Sequence, residues 1–116
     1  MALMPNKVQL QFASEFKRNI RILAKKYRTI KSDLSPLFQQ LESGDTPGDQ
    51  IQGTGATLYK VRVKNSDSNK GKRGGYRVIY FIKQQDQIIL LTAYSKNELS
   101  TVSAEFLHKL VEKYKL

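Results

Sequence analysis

Lysine and arginine are the residue types in this chain with the number and the spacing to do chemistry. From Leu58 to Tyr80 it reads LYKVRVKNSDSNKGKRGGYRVIY, and Lys60, Arg62 and Lys64 alternate with Tyr59, Val61 and Val63. On a β-strand that period of two sends the three cations to one face and the other three residues to the core. At about 3.3 Å per residue the charges recur roughly every 6.6 Å, comparable to successive phosphates on an extended single strand. Like charges lined up on one face repel, so packing gives no reason for them. A partner bearing negative charge does. The loop that follows adds Lys70, Lys72 and Arg73, and Arg77 opens the next strand.

Other chemistries find little to work with. There is no cysteine, and the one histidine, His108, falls on the last helix, where such a residue is far more often a surface or packing group than a ligand. A Ser-His-Asp arrangement has no other anchor, and no carboxylate pair is set up for glycosidase-type work. No metal and no cofactor are expected. Phosphoryl transfer, by contrast, needs mainly positioning and neutralisation of the charge that develops on the phosphoryl oxygens. RNA brings its own nucleophile, the 2′-hydroxyl, and then needs a base for that hydroxyl and an acid for the departing 5′-oxygen. Lys60, crowded by Arg62, suits the base, because a neighbouring like charge disfavours the protonated amine. Tyr59, Tyr76 and Tyr94 could stack on bases, although core packing is the commoner role for any one of them.

The 116 residues read as one domain, 1–116, large enough for a single core without staples. Twenty Lys/Arg stand against ten Asp/Glu, a net charge of +10 that points to nucleic acid or an acidic partner. The cations are concentrated: Lys17 to Lys31 holds seven with no acid, and Lys60 to Arg77 seven more against Asp67 alone. The first block reads equally well as a solvated helix face. The N-terminal MALMPNKVQL is no secretory signal, and the longest apolar runs, VIYFI and IILL, are too short to span a bilayer. Without cysteine the chain fits the cytoplasm.

Elements follow from the periodicities. Val8, Leu10 and Phe12 alternate as a first strand. Ser14 suits a helix N-cap, and Phe16, Ile20, Leu23, Tyr27 and Ile30 recur at helical spacing. A second helix carries Leu34, Leu37, Phe38 and Leu41, capped by Ser32 or Ser35, with Pro36 tolerable only near its start and Gly44 as its left-handed stop. So short a link predicts an antiparallel hairpin. Asp45 to Ala56 reads as a plain loop, lacking the Gly-Lys-Ser/Thr ending of a phosphate cradle. Three strands then follow: the cationic one, a central one from Tyr76 to Lys83, and one from Gln87 to Tyr94. A final helix begins near Ser100 or Ser103, with Leu107, Leu110, Val111 and Tyr114 on its stripe. The order predicts an α+β fold: N-terminal strand, helical hairpin, three-stranded antiparallel meander joining one sheet, C-terminal helix.

The segments YKVRV, GKRGGYRVIY and LLTAYSKNELS, with GDQIQGTG before them, together resemble the RelE/ParE superfamily of bacterial toxins, its HigB-like branch in particular. The similarity covers roughly Phe16 to Leu110. It implies a microbial-ribonuclease-like fold and a type II toxin that cuts mRNA in the ribosomal A site, metal-independently, as an endoribonuclease or mRNA interferase. It also implies a cognate antitoxin, expected to carry a helix-turn-helix DNA-binding domain. Carried over residue by residue, Lys60 matches the base, while Arg62 and Arg77 match the cations that orient the phosphate. Asn97 after Lys96 departs from the RelE pattern, which has arginine there, and Ser103 stands where RelE has a tyrosine. Those positions serve leaving-group protonation and base stacking, so the acid stays open between Lys96 and Arg73. Lys64, Lys70, Lys72, Arg73, Tyr94 and Asn97 are expected to contact RNA, and the Lys17–Lys31 block to dock on ribosomal RNA. The alternatives are a ParE-like gyrase inhibitor, whose kind generally lacks this cationic set, and a non-toxic RNA-binding module.

Overall fold

The computed structural model describes residues 7–67, 74–99 and 101–115. Eight elements follow in the order β1 (Gln9–Phe12), α1 (Ser14–Lys26), α2 (Ile30–Glu42), β2 (Asp49–Ile51), β3 (Leu58–Val63), β4 (Tyr76–Gln84), β5 (Gln87–Ser95) and α3 (Ala104–Glu112). The strands form a single mixed sheet in the order β1-β5-β4-β3-β2, antiparallel except where β1 runs parallel to β5. The class is α+β, but the sheet has five strands rather than the four the sequence pattern gives. The extra one, β2, lies inside the connection read as a plain loop. Three residues between turns carry no periodic signal; β2 exists because the free edge of β3 offers its backbone groups to Asp49, Gln50 and Ile51.

The helical hairpin also departs from the expected bounds. The first helix stops at Lys26, with Tyr27 outside it and Ile30 already opening the second. Ser14 lies within α1 rather than capping it, and the N-cap is Ala13. Because α2 starts at Ile30, Pro36 sits in its middle, and neither Ser32 nor Ser35 is the cap. A mid-helix proline removes one backbone hydrogen bond. The buried stripe of Ile30, Leu34, Leu37 and Leu41 holds the helix together regardless, since packing outweighs propensity. Gly44 ends it as expected, at φ 100°, where its own N–H donates to the carbonyl of Leu41 and that of Asp45 to Gln40. Ser103 caps α3 by accepting from the Phe106 N–H at 3.1 Å.

β4 is central and buried along Tyr76–Phe81 on both faces, as its composition suggests. The hairpin covers the face that bears Val61, Val63 and Tyr76. Pro36 and Leu37 meet Val61 and Val63 across a cleft, and the Tyr27 ring meets Tyr76 edge-on, with centroids 5.7 Å apart. Asn19 fastens α1 to the edge of β5 that β1 leaves open: its Oδ1 accepts from the Thr92 hydroxyl at 2.9 Å and the Ala93 N–H at 3.0 Å. No described helix is long and apolar enough to cross a membrane.

Candidate nucleic-acid interface

β3 keeps the alternation read from its sequence. Val61 and Val63 are buried and Tyr59 half-buried, while Lys60 is half-buried and Arg62 exposed. Lys64 follows just past the strand and is exposed. Register decides which cations meet. Arg62 stands directly opposite Arg77, and Arg77 opposite Tyr94, whereas Lys60 pairs with Ile79 on one side and Asp49 on the other. Residues paired across an antiparallel ladder share a face. Lys60, Arg62, Arg77 and Tyr94 therefore occupy one face, opposite the helical hairpin. The sequence reading put the crowding at Lys60; the closest cationic pairing is Arg62 with Arg77.

Arg77 is only 6 % exposed, and its Nη1 donates to the Tyr76 carbonyl at 3.2 Å. Burial lowers its pKa from the ordinary arginine value, the Arg62 charge lowers it further, and Tyr94 opposes both. Tyr94 is 7 % exposed. Burial raises its phenol, with the Arg77 charge and the nearby Thr101 hydroxyl pulling the other way. Thr101 approaches without meeting hydrogen-bond geometry, so the buried Tyr94 hydroxyl has no bonding partner among the described residues. Neither Tyr76 nor Tyr94 presents an open ring to a base; both pack inside, and Tyr59 stacks on Tyr80 at 5.6 Å. Among the described residues Lys60 and Arg62 make no ion pair.

The remaining sequence-predicted residues gather at the same end of the sheet or lie outside the described chain. Lys96, half-buried, follows β5, and its N–H donates to the Gly75 carbonyl at 2.9 Å. Asn97 is exposed beside it. Gly75 in turn presses on the end of β3, where a Cβ would lie 2.1 Å from the Val63 carbonyl oxygen. Only glycine lets β4 begin this close to β3. Lys70, Lys72 and Arg73 lie outside the described residues.

Two acids, Asp33 and Asp67, have structural roles that the sequence pattern does not assign. Asp33 Oδ2 accepts from the Ser66 N–H and the Thr29 hydroxyl, both at 3.0 Å, and Asp67 Oδ2 accepts from the Arg28 N–H at 3.0 Å. Asn65, wholly buried, accepts from the Asp67 N–H at 2.9 Å. Together they tie the chain after β3 to the turn between α1 and α2. An isolated acid in a basic run was the available signal. Among the described residues no three His, Cys, Asp or Glu side chains converge as metal ligands, and His108 is exposed on α3.

Fold and site together define a basic α+β domain that presents cations from one face and one end of its sheet. The RelE family, described as the RelE toxin of the RelE/RelB toxin-antitoxin system, matches residues 13–114, and the chain belongs to that family. It is thus a toxin-family member, with an antitoxin as the partner its family implies.

Proposed function

We propose that this toxin is a metal-independent endoribonuclease that cuts mRNA in the ribosomal A site, in the cytoplasm. One observation carries the reading: two arginines, Arg62 and Arg77, stand directly opposite each other on β3 and β4, with Lys60 one pleat further along the same face. Such a pairing costs stability by itself, and a phosphate lying over it removes the cost. Arg77 lies deep, where its field is little screened by salt, so it reinforces Arg62 at the surface.

In this reading Lys60 takes the proton of the 2′-hydroxyl. The 2′-oxygen then bonds to phosphorus while the bond to the 5′-oxygen breaks, leaving a 2′,3′-cyclic phosphate and a 5′-hydroxyl. Arg62 and Arg77 neutralise the charge on the phosphoryl oxygens. Lys96, at the same end of the sheet, returns a proton to the leaving oxygen. Lys64 and Asn97 hold the flanking backbone, with Lys70, Lys72 and Arg73 adding charge. Tyr94 supports Arg77 from β5 instead of stacking on a base.

Primer extension on mRNA in a translating extract tests this. Cuts within A-site codons, cyclic phosphate ends and persistence in EDTA at the isolated cleavage step are expected, with Lys60→Ala and Arg77→Ala losing about 100-fold or more in rate. Absence of cuts together with inhibited DNA supercoiling moves the chain to gyrase poisoning. RNA binding with neither effect leaves a binding module.

A further inference from the structure

A groove of about 320 Å³ separates α2 from the outer edge of β3. Pro36 and Leu37 wall it on one side, Val61 and Val63 on the other. Arg62 and Lys64 also line it, exposed and in no ion pair among the described residues. The ladder fixes what this edge offers. The Ile82 N–H donates to the Thr57 carbonyl, so Thr57 and every second residue after it turn their backbone groups toward β4. Leu58, Lys60 and Arg62 turn theirs the other way. The pairing with β2 ends at Lys60, where Gly48 packs against the Lys60 carbonyl. The N–H and C=O of Arg62 therefore face out with no described strand beside them. The helix wall adds acceptors. Pro36 has no N–H to give the Ser32 carbonyl four residues back. Asp33 accepts from Ser66 and Thr29 through Oδ2 alone, which leaves its Oδ1 without a hydrogen bond among the described residues.

We infer that this groove takes a guanine base of the bound RNA strand, turned over the edge of the sheet, with its phosphate on Arg62 and Lys64. The inference rests on the reading that RNA lies across Arg62 and Arg77, and not on the strand being cut. Continuity argues for RNA: Arg62 sends its side chain to the RNA face and its backbone groups to the groove, so a strand held by the first has the second beside it. An added peptide strand needs a run of free edge groups. It finds those of one residue before the Ser66 N–H is tied to Asp33. A base needs only a slot between apolar walls and a few polar groups at its edge. The groups fixed here are acceptors three to one: the carbonyls of Ser32 and Arg62 and the Oδ1 of Asp33, against the N–H of Arg62. Guanine answers them, because its pairing edge carries two donors, N1–H and the N2 amine, beside the O6 acceptor. Adenine and cytosine bring one donor group and uracil one N–H. Gln40, exposed at the rim, can turn either end of its amide and does not set the choice.

Fluorescein-labelled 2′-O-methyl RNA hexamers, which cannot be cut, test this by anisotropy on the full chain without ribosomes. Each is oligouridine with guanine, adenine, cytosine or uracil at one internal position. The guanine hexamer is expected to bind at least about fivefold tighter than the others. Asp33→Asn keeps an oxygen for Ser66 and puts an amide donor where Oδ1 was. The guanine preference should then fall to about twofold or less, while binding of oligouridine holds or rises with the lost negative charge. Gln40→Trp, a ring large enough to fill the slot from an exposed helix position, should erase the preference in the same way. Circular dichroism melts show that each variant folds, and Gln40→Trp serves if Asp33→Asn does not. Equal binding of the four hexamers, or a preference that survives both variants, overturns the inference and leaves RNA on Arg62 and Arg77 standing. GMP that competes as well as the guanine hexamer also overturns it, giving the groove to a free nucleotide. No binding by any hexamer removes both readings together. Absence of cuts in the extract assay leaves these titrations unaffected.

Discussion

Arg62 and Arg77 set the residue scale, because each makes the other's position worse. Two like charges directly opposite on a ladder destabilise by about 0.2–1 kcal/mol, and the depth of Arg77 adds to that cost. Arg62→Thr, a good strand former at an exposed position, is expected to raise stability by up to about 1 kcal/mol, or roughly 4–8 °C in melting temperature, while cleavage is lost. Thermal melts at low and high salt check this, since salt should narrow the gap between variant and wild type. An equal or lower melting temperature for the variant removes the case that the pairing is kept for a ligand. Gly75 matters for the opposite reason. Gly75→Ala drives a methyl into the Val63 carbonyl and forces β3 and β4 apart, at about 1–3 kcal/mol and with loss of the Arg62–Arg77 alignment.

At the scale of elements, the helices are held to the sheet by a few polar contacts as well as by packing. Asn19→Leu strips the Ala93 N–H and the Thr92 hydroxyl of their shared acceptor and is expected to cost about 1–3 kcal/mol, read from urea midpoints. Ser103→Ala removes the cap of α3 and should cost about 1 kcal/mol. Legibility in the sequence followed element length. The stripe of Leu34, Leu37 and Leu41 and the alternation of β3 announced their elements, because a repeated period averages out local exceptions. β2 has three residues and no period. The break at Tyr27–Thr29 was hidden because Tyr27 and Ile30 stay buried on either side of it, continuing the apolar spacing without continuing the helix.

For the whole molecule, stability should vary with pH at both extremes. Burial raises the phenols of Tyr76 and Tyr80, and raises Tyr94 as well, so folding favours their neutral forms. That contribution is complete below the unfolded tyrosine value of about 10 and falls away as pH rises above it. At the acid end, burial works to raise Glu15, but hydrogen bonds from Arg18 and Asn19 prevail and lower its pKa, so its contribution is present above the unfolded value near ~4.3 and is lost as pH falls. Chemical denaturation from neutral to strongly alkaline pH is expected to show a decline that Tyr80→Phe moderates. A flat profile in the alkaline range argues against the buried phenols.

Composition and spacing alone determined that this chain is basic, α+β and built around a cationic strand, because alternation and charge clustering are local properties of the chain. They also put Lys60, Arg62 and Lys64 on one face of that strand, and the family resemblance added Arg77. The tertiary structure alone decided that Arg62 is paired with Arg77 while Lys60 is paired with Ile79, since strand register depends on where a partner distant in the chain settles and a shift of one would reverse every face. It alone turned Tyr76 and Tyr94 inward, and it alone gave the cations of α1 an apolar floor. Phe12 and Phe38 are far apart in the chain, and only folding brings them beside Phe16.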